Sequence, residues 1–424
     1  MPQQKPREGR RHGIPPAPQP RRQFDVLTNL EGALGLVLWR AVRDVLLWAE
    51  AAPESRATLF EPMTQDVRDR YAVARTEAPE LSGALGTFAL MQSAPSVADP
   101  AHVASACHQV YRWADKRSLM GVAVHFAEAA ALAEPDRAAW AVDAGWICRR
   151  ANEGDMLARS AAWYQRAFSL AVRTKHRRDS IRSLTGYGAL MKDLGDVEEA
   201  RTAYLRAARR AARTGRKRHA AVAHHYLFAL AAESGTFAEA LEHAGRALTL
   251  YPLHDVRVPA LAHDWAFLLV RNHVHRHGLA LLLRTSPLME QPAELLLVFS
   301  TTARAAGGAR RPERFGNAER AVLEMVGLYP EYAAASFVNL AEGARALGEW
   351  GRAEAYLRTA LDVARQRKDA EPERVARELL QAVERRETPP PATGPDDETA
   401  ALTRRFAARL TRWRNRSGRS PGSG

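Results

Sequence analysis

Few residues in this chain sit at spacings that chemistry uses. His273, His275 and His277 fall in one short segment, with His263-Asp264 upstream. If that segment is helical, His273 and His277 share a face at i,i+4, a geometry metals accept. No glutamate stands between them as in a zinc-protease helix, and no convergent carboxylate is evident, so no metal is expected. The two cysteines, Cys107 and Cys148, lack zinc-site spacing and are read as small buried hydrophobes. No phosphate-cradling glycine loop, nucleophile elbow or dinucleotide fingerprint occurs. The sequence therefore predicts a non-catalytic protein without a cofactor.

Charge is the stronger signal. The formal net charge is +13, of which residues 1–22 and 388–424 together carry +9. The eight basic residues between Arg201 and Arg218 are accompanied by no acid. They include Arg209, Arg210, Arg213, Arg216, Lys217 and Arg218. Arg173, Lys175, Arg177 and Arg178 stand at the equivalent end of the preceding segment. Stacking would align such ends into a positive edge suited to an acidic protein or a nucleic-acid backbone. Basic residues near helix C-termini also have a purely structural use, complementing the helix dipole.

Those residues must be carried by a repeated scaffold. Gly195, Ala200 and Ala207 set offsets that return at Gly235, Ala240 and Ala247, and at Gly348, Ala353 and Ala360. Ala123, Ala130 and Pro135 match Ala240, Ala247 and Pro252, and Ala318 and Pro330 keep the rhythm with Met325 between them. A period of roughly 35 to 40 residues points to stacked helical hairpins. Seven pairs are expected, near 102–135, 138–175, 180–214, 219–252, 258–290, 293–330 and 334–368. The pair near 258–290 is degenerate, its register open, and is expected to be a weak point. A polar capping helix is expected at 372–386.

The flanks differ. Residues from about Phe24 to Glu50 are expected to form one long helix, with Leu27, Leu30, Leu34, Leu38, Val42, Val45 and Trp48 on its apolar stripe. They open an N-terminal helical module, 23–100, whose role the sequence leaves open. Residues 1–22, rich in Pro, Gln and Arg, and 388–424, a Pro-rich linker with a basic amphipathic segment, are expected to be disordered tails. Arg40, Arg43 and Asp44 interrupt the most apolar stretch, Ala33 to Ala49. That interruption argues against a membrane span and against an export signal following Arg21-Arg22, and with the scarce cysteines favours a cytoplasmic location.

Leu184, Tyr187, Gly188 and Met191, followed by Gly195, Ala200, Tyr204 and Ala207, resemble the tetratricopeptide (TPR) repeat. The family's leading tryptophan is mostly missing, and the intervals are longer than its minimal unit, as in extended bacterial arrays. The resemblance implies an all-α, right-handed α-solenoid, residues 101–387, that binds a protein or peptide segment on a concave groove lined by first helices. It places Arg112, Arg149, Arg182, Lys192, His225 and Arg345 there, favouring an acidic segment. Asn339 matches one position of the family's carboxylate-gripping clamp, but the rest of that basic set is absent. Two alternatives stay open: a sensor or regulatory arm of a transcriptional or signalling system, and nucleic-acid binding through the basic edge and tails. The partner's identity, the pathway and the oligomeric state are not readable.

Overall fold

The computed structural model describes residues 13–20, 26–367 and 369–416, the side chains of Asn29 and Arg416 excepted. Among them every regular element is helical. The N-terminal module holds α1 (Val26–Asn29), α2 (Gly32–Glu50), α3 (Gln65–Glu77) and α4 (Ser82–Ser93). Helical pairs follow: α5 (Pro100–Lys116) with α6 (Met120–Ala133), α7 (Ala138–Ala151) with α8 (Met156–Arg173), and α9 (Arg177–Asp193) with α10 (Val197–Arg213). Next come α11 (Lys217–Glu233) and α12 (Phe237–Leu250), then α13 (Arg257–Arg271) and α14 (His275–Thr285). The last pairs are α15 (Pro292–Gly308) with α16 (Pro312–Met325), and α17 (Pro330–Leu347) with α18 (Trp350–Arg367). Two single helices close the chain, α19 (Ala370–Glu384) and α20 (Asp397–Arg416). The chain is an all-α helical-repeat protein, of the solenoid class. It divides into two compact units, one ending at Ala223 and one beginning at His224, a point inside α11.

One turn geometry recurs between helices, and it explains the repeated glycines. Gly195 has φ +81°, a conformation costly for residues with a Cβ. The Asp196 N–H then closes a six-residue bond to the Met191 carbonyl at 2.9 Å. Asp196 also caps the next helix, its Oδ1 accepting from the Glu199 N–H at 3.0 Å. The same bond recurs at Arg216 to Ala211, Val274 to Leu269, Arg311 to Ala306 and Glu349 to Ala344.

In the first unit, α2 packs on α3 and α6, and α4 on α5, so the N-terminal module covers the first hairpin. Its centre is apolar, with Leu38, Val42 and Trp48 fully buried, but it encloses a polar knot. Gln92 donates to the buried Asp44 carboxylate at 2.6 Å, and Arg40 and Arg43 complete its coordination. Buried carboxylates require such partners. Further on, consecutive helices pack from α5 to α10. A Cβ at Gly188 would lie 2.7 Å from the Tyr204 ring, so this glycine sets the α9–α10 approach.

The N-terminal segment, expected to be a disordered tail, is ordered over residues 13–20, which lie along α7 and α8. Ile14 packs against Ala138, Leu170 and Ala171. Residues 1–12 and 21–22 lie outside the described residues.

In the second unit the degenerate pair is resolved. α14 spans only 11 residues, too short to cover α13, and α20 supplies the missing cover. Phe406 stacks on Trp265 at 6.2 Å, and the Trp265 indole N–H donates to the Thr403 hydroxyl at 3.0 Å. Residues 397–416, expected to be tail, are therefore a docked helix with Leu402, Phe406, Leu410 and Trp413 buried. The linker before it is pinned where Thr393 donates to the His273 carbonyl at 2.9 Å. The expected weak point is braced. Leu410→Asp should release α20, and amide exchange across 258–271 should then accelerate at least ~100-fold while 180–213 stays unchanged. Equal exchange in both proteins would show that α20 contributes no stability to that pair.

Candidate functional site

The helix α10 sorts its residues by face. Ala200, Ala203, Tyr204, Ala207 and Ala211 are buried, and the long basic side chains face outward. Arg206, Arg209, Arg210 and Arg213 converge there on Phe168 of α8, with Arg177 and Leu184 of α9 opposite, around a cleft of about 480 Å³. The guanidinium carbons of Arg206 and Arg210 lie 5.7 and 5.8 Å from the Phe168 ring centre. Arg210 also donates to the Ser180 hydroxyl at 2.6 Å, which fixes its fork. The lining includes no carboxylate. Among the described residues none of these five arginines forms an ion pair. Arg216, Lys217 and Arg218 are exposed beside the cleft at the start of α11. Arg173, from the same end of the preceding pair, is instead matched to Asp136 at 2.7 Å.

Sequence reasoning found the α10 arginines but missed Phe168 and Ser180, which arrange them. Neither carries a local signal: both read as ordinary positions on amphipathic helices.

The groove positions fare differently. Arg149 pairs with Asp193 at 2.7 Å, Arg182 with Asp143 at 2.6 Å, and Arg345 with Glu342 at 2.9 Å. His225 bonds Asp264 at 2.8 Å. Arg112 is exposed, its guanidinium carbon 5.9 Å from the Tyr111 ring centre, and Lys192 is half-buried. Asn339 is buried and donates to the Ser300 hydroxyl at 3.3 Å. Burial would raise the Asp143 carboxyl, yet hydrogen bonding from His108 and the Arg182 charge hold it below its ordinary value. Much of the groove charge is thus spent on neighbouring helices.

The histidine segment is not a shared helical face. His273 sits in the α13–α14 turn at φ +61°, and α14 begins at His275. Among the described residues no group of three or more His, Cys, Asp or Glu is placed to hold a metal ion. His263 does link a hydroxyl to a carboxylate: Nε2 lies 3.2 Å from Thr301 Oγ1 and Nδ1 lies 3.1 Å from Asp264 Oδ1. That is the order of a nucleophilic relay. Thr301, however, is only 2% exposed and donates to the Leu297 carbonyl at 2.8 Å. The relay ties α13 to α15 and presents no accessible nucleophile. Cys107 and Cys148 are buried, and burial pushes both thiols well above their usual range.

Two other histidines make the second unit acid-sensitive. Burial pushes His224 and His275 down to about 4. Between pH 6.5 and 4 the unfolded chain takes up protons there that the folded chain refuses, so stability is complete above 6.5 and falls with pH through that window. For His275 the loss at pH 5 is on the order of 2 kcal/mol, or about 4–8 °C in Tm. Thermal melts from pH 7 to 5 should show this fall, and His275→Leu should make it shallower by the share of His275, leaving that of His224. An identical profile in that variant would refute the assignment.

Among the described residues no helix is long and apolar enough to cross a membrane. No family model matches the chain, and no curated protein matches it. Among solved structures it is similar to a Rap protein complexed with competence and sporulation factor, at 10% identity over 85% of this chain and 89% of that one, TM-score 0.36. It is also similar to a circular tandem repeat protein with novel repeat topology and enhanced subunit contact surfaces, at 14% identity over 90% and 99%, TM-score 0.23. Both likenesses are remote, and the helical-repeat assignment rests on the chain's own helices.

Proposed function

We propose that this is a TPR-like, non-catalytic interaction protein, acting in the cytoplasm, that holds an acidic segment of a partner protein in the α9–α10 cleft. One observation carries the reading: five arginines share a cleft with no carboxylate among its lining residues. Clustering like charges disfavours the free protein, and Arg forks match carboxylates in pairs. The groove positions Arg112 and Lys192 extend the basic character of the first helices without being needed for capture. This shifts the expected binding surface from the groove to the basic edge.

The test is capture of partners by the intact protein and by Arg206→Glu/Arg209→Glu, each with and without nuclease. A nuclease-resistant protein partner lost in the variant supports the proposal. Nuclease-sensitive capture alone would replace it with phosphate-backbone binding at the same arginines.

A further inference from the structure

The ordered N-terminal arm shows what else the first unit binds. Its sequence from Gly13 to Pro20 contains four prolines, at 15, 16, 18 and 20. Exposure along it repeats every third residue: Gly13, Pro16 and Gln19 face solvent, while Ile14, Pro15, Ala17, Pro18 and Pro20 are half-buried. Three residues per turn is the period of polyproline II, whose carbonyls stay free of internal hydrogen bonds. The α8 helix supplies donors to those carbonyls. Arg166 donates to the Pro15 carbonyl at 2.7 Å, and Arg159 to the Gln19 carbonyl at 3.0 Å.

Both guanidiniums are held by the protein itself. Arg159 donates to the buried Glu128 carboxylate at 2.6 Å, which also accepts from the Trp163 indole at 2.8 Å. Arg166 additionally donates to the Pro135 carbonyl at 3.1 Å. Ile14 packs against the buried cluster of Ala138, Leu170 and Ala171. An apolar patch for the aliphatic residue and two fixed donors to main-chain carbonyls, each preceding a proline, make a receptor for polyproline II.

We propose that the α7–α8 face is a binding site for proline-rich segments of other proteins, of the form aliphatic-Pro-x-x-Pro, occupied in this structure by the chain's own arm. The arm competes at the high effective concentration of a tethered ligand, so an outside segment binds only by displacing it. The site is separate from the basic cleft, and the arm segment is uncharged, so the two readings stand or fall independently.

The test uses the full chain and a fluorescent peptide of residues 13–20. Ile14→Asp/Pro18→Asp should release the arm, and this variant should bind the peptide saturably, at least ~10-fold tighter than the wild type. Adding Arg166→Ala should weaken binding by ~10-fold or more, with the helical circular dichroism unchanged. The proposal is overturned if the folded released variant binds no peptide, or binds a scrambled peptide of the same composition equally well. It is also overturned if the wild type is a dimer and the released variant a monomer, since the arm would then be seated on a second copy.

Discussion

Gly307→Ala is expected to lower the Tm of the second unit by about 6–12 °C, a loss of about 3 kcal/mol or more. In the structure α15 and α17 touch backbone to backbone. A Cβ at Gly307 would lie 2.1 Å from the Gly343 carbonyl oxygen and 2.5 Å from its Cα. Main chain cannot swing aside as a flexible side chain can, so the two helices must separate. Separation would also unseat Phe315, already within 2.7 Å of where a Cβ at Gly343 would stand. Gly316 is the internal control. It lies inside α16 with nothing within 4 Å of where a Cβ would stand, so Gly316→Ala should stabilise by about 0.5–1 kcal/mol through helix propensity. Calorimetric melts of the two variants check both signs. A Gly307→Ala protein as stable as the parent would mean that the α15–α17 crossing is not the close contact described.

The second large effect concerns binding. Arg206→Glu/Arg209→Glu should weaken capture of an acidic segment by ~100-fold or more, about 2.7 kcal/mol, because attraction becomes repulsion at two of the cleft's five guanidiniums. The same change should leave stability within about 0.5 kcal/mol. On α10 a glutamate at position 206 would meet Arg210, and one at position 209 would meet Arg213. Each is a favourable i,i+4 pair with the acid N-terminal. Those gains offset the lost contact of Arg206 with Phe168. A charge cluster whose removal costs affinity but no stability serves binding. Circular dichroism melts and titration of one preparation read both quantities.

How much of this was legible in the sequence depends on how local each signal is. The turns at Gly195, Gly235 and Gly348 were readable because only glycine takes those backbone angles cheaply. Ser118, His273 and Arg310 adopt positive φ in equivalent turns without that marker. Missing the turn at His273 made His273 and His277 look like neighbours on one helical face. The docking of α20 was equally hidden. Phe406, Leu410 and Trp413 announce an amphipathic helix, but Trp265, its receptor, lies well over a hundred residues away.

The pairing of the groove positions was hidden for a different reason. Arg149 and Asp193 are 44 residues apart, and Arg182 and Asp143, like His225 and Asp264, are 39 apart. Each of these carboxylates stands about one repeat from its partner, whereas Arg345 pairs with Glu342 on its own helix. A basic residue in a solenoid must therefore be judged against the position one period away before it is counted as free. That rule spares the α10 arginines and accounts for Arg149, Arg182 and His225 among the groove positions.

Whether the α9–α10 cleft or the groove holds the acidic partner can be decided by fluorescence anisotropy. A labelled aspartate- and glutamate-rich peptide is titrated with the wild type, with Arg206→Glu/Arg209→Glu and with Arg112→Glu/Lys192→Glu. The cleft variant should lose ~100-fold in affinity and the groove variant less than ~3-fold, with affinity falling as salt rises. Loss confined to the groove variant, or equal binding by all three proteins, would contradict the assignment to the cleft.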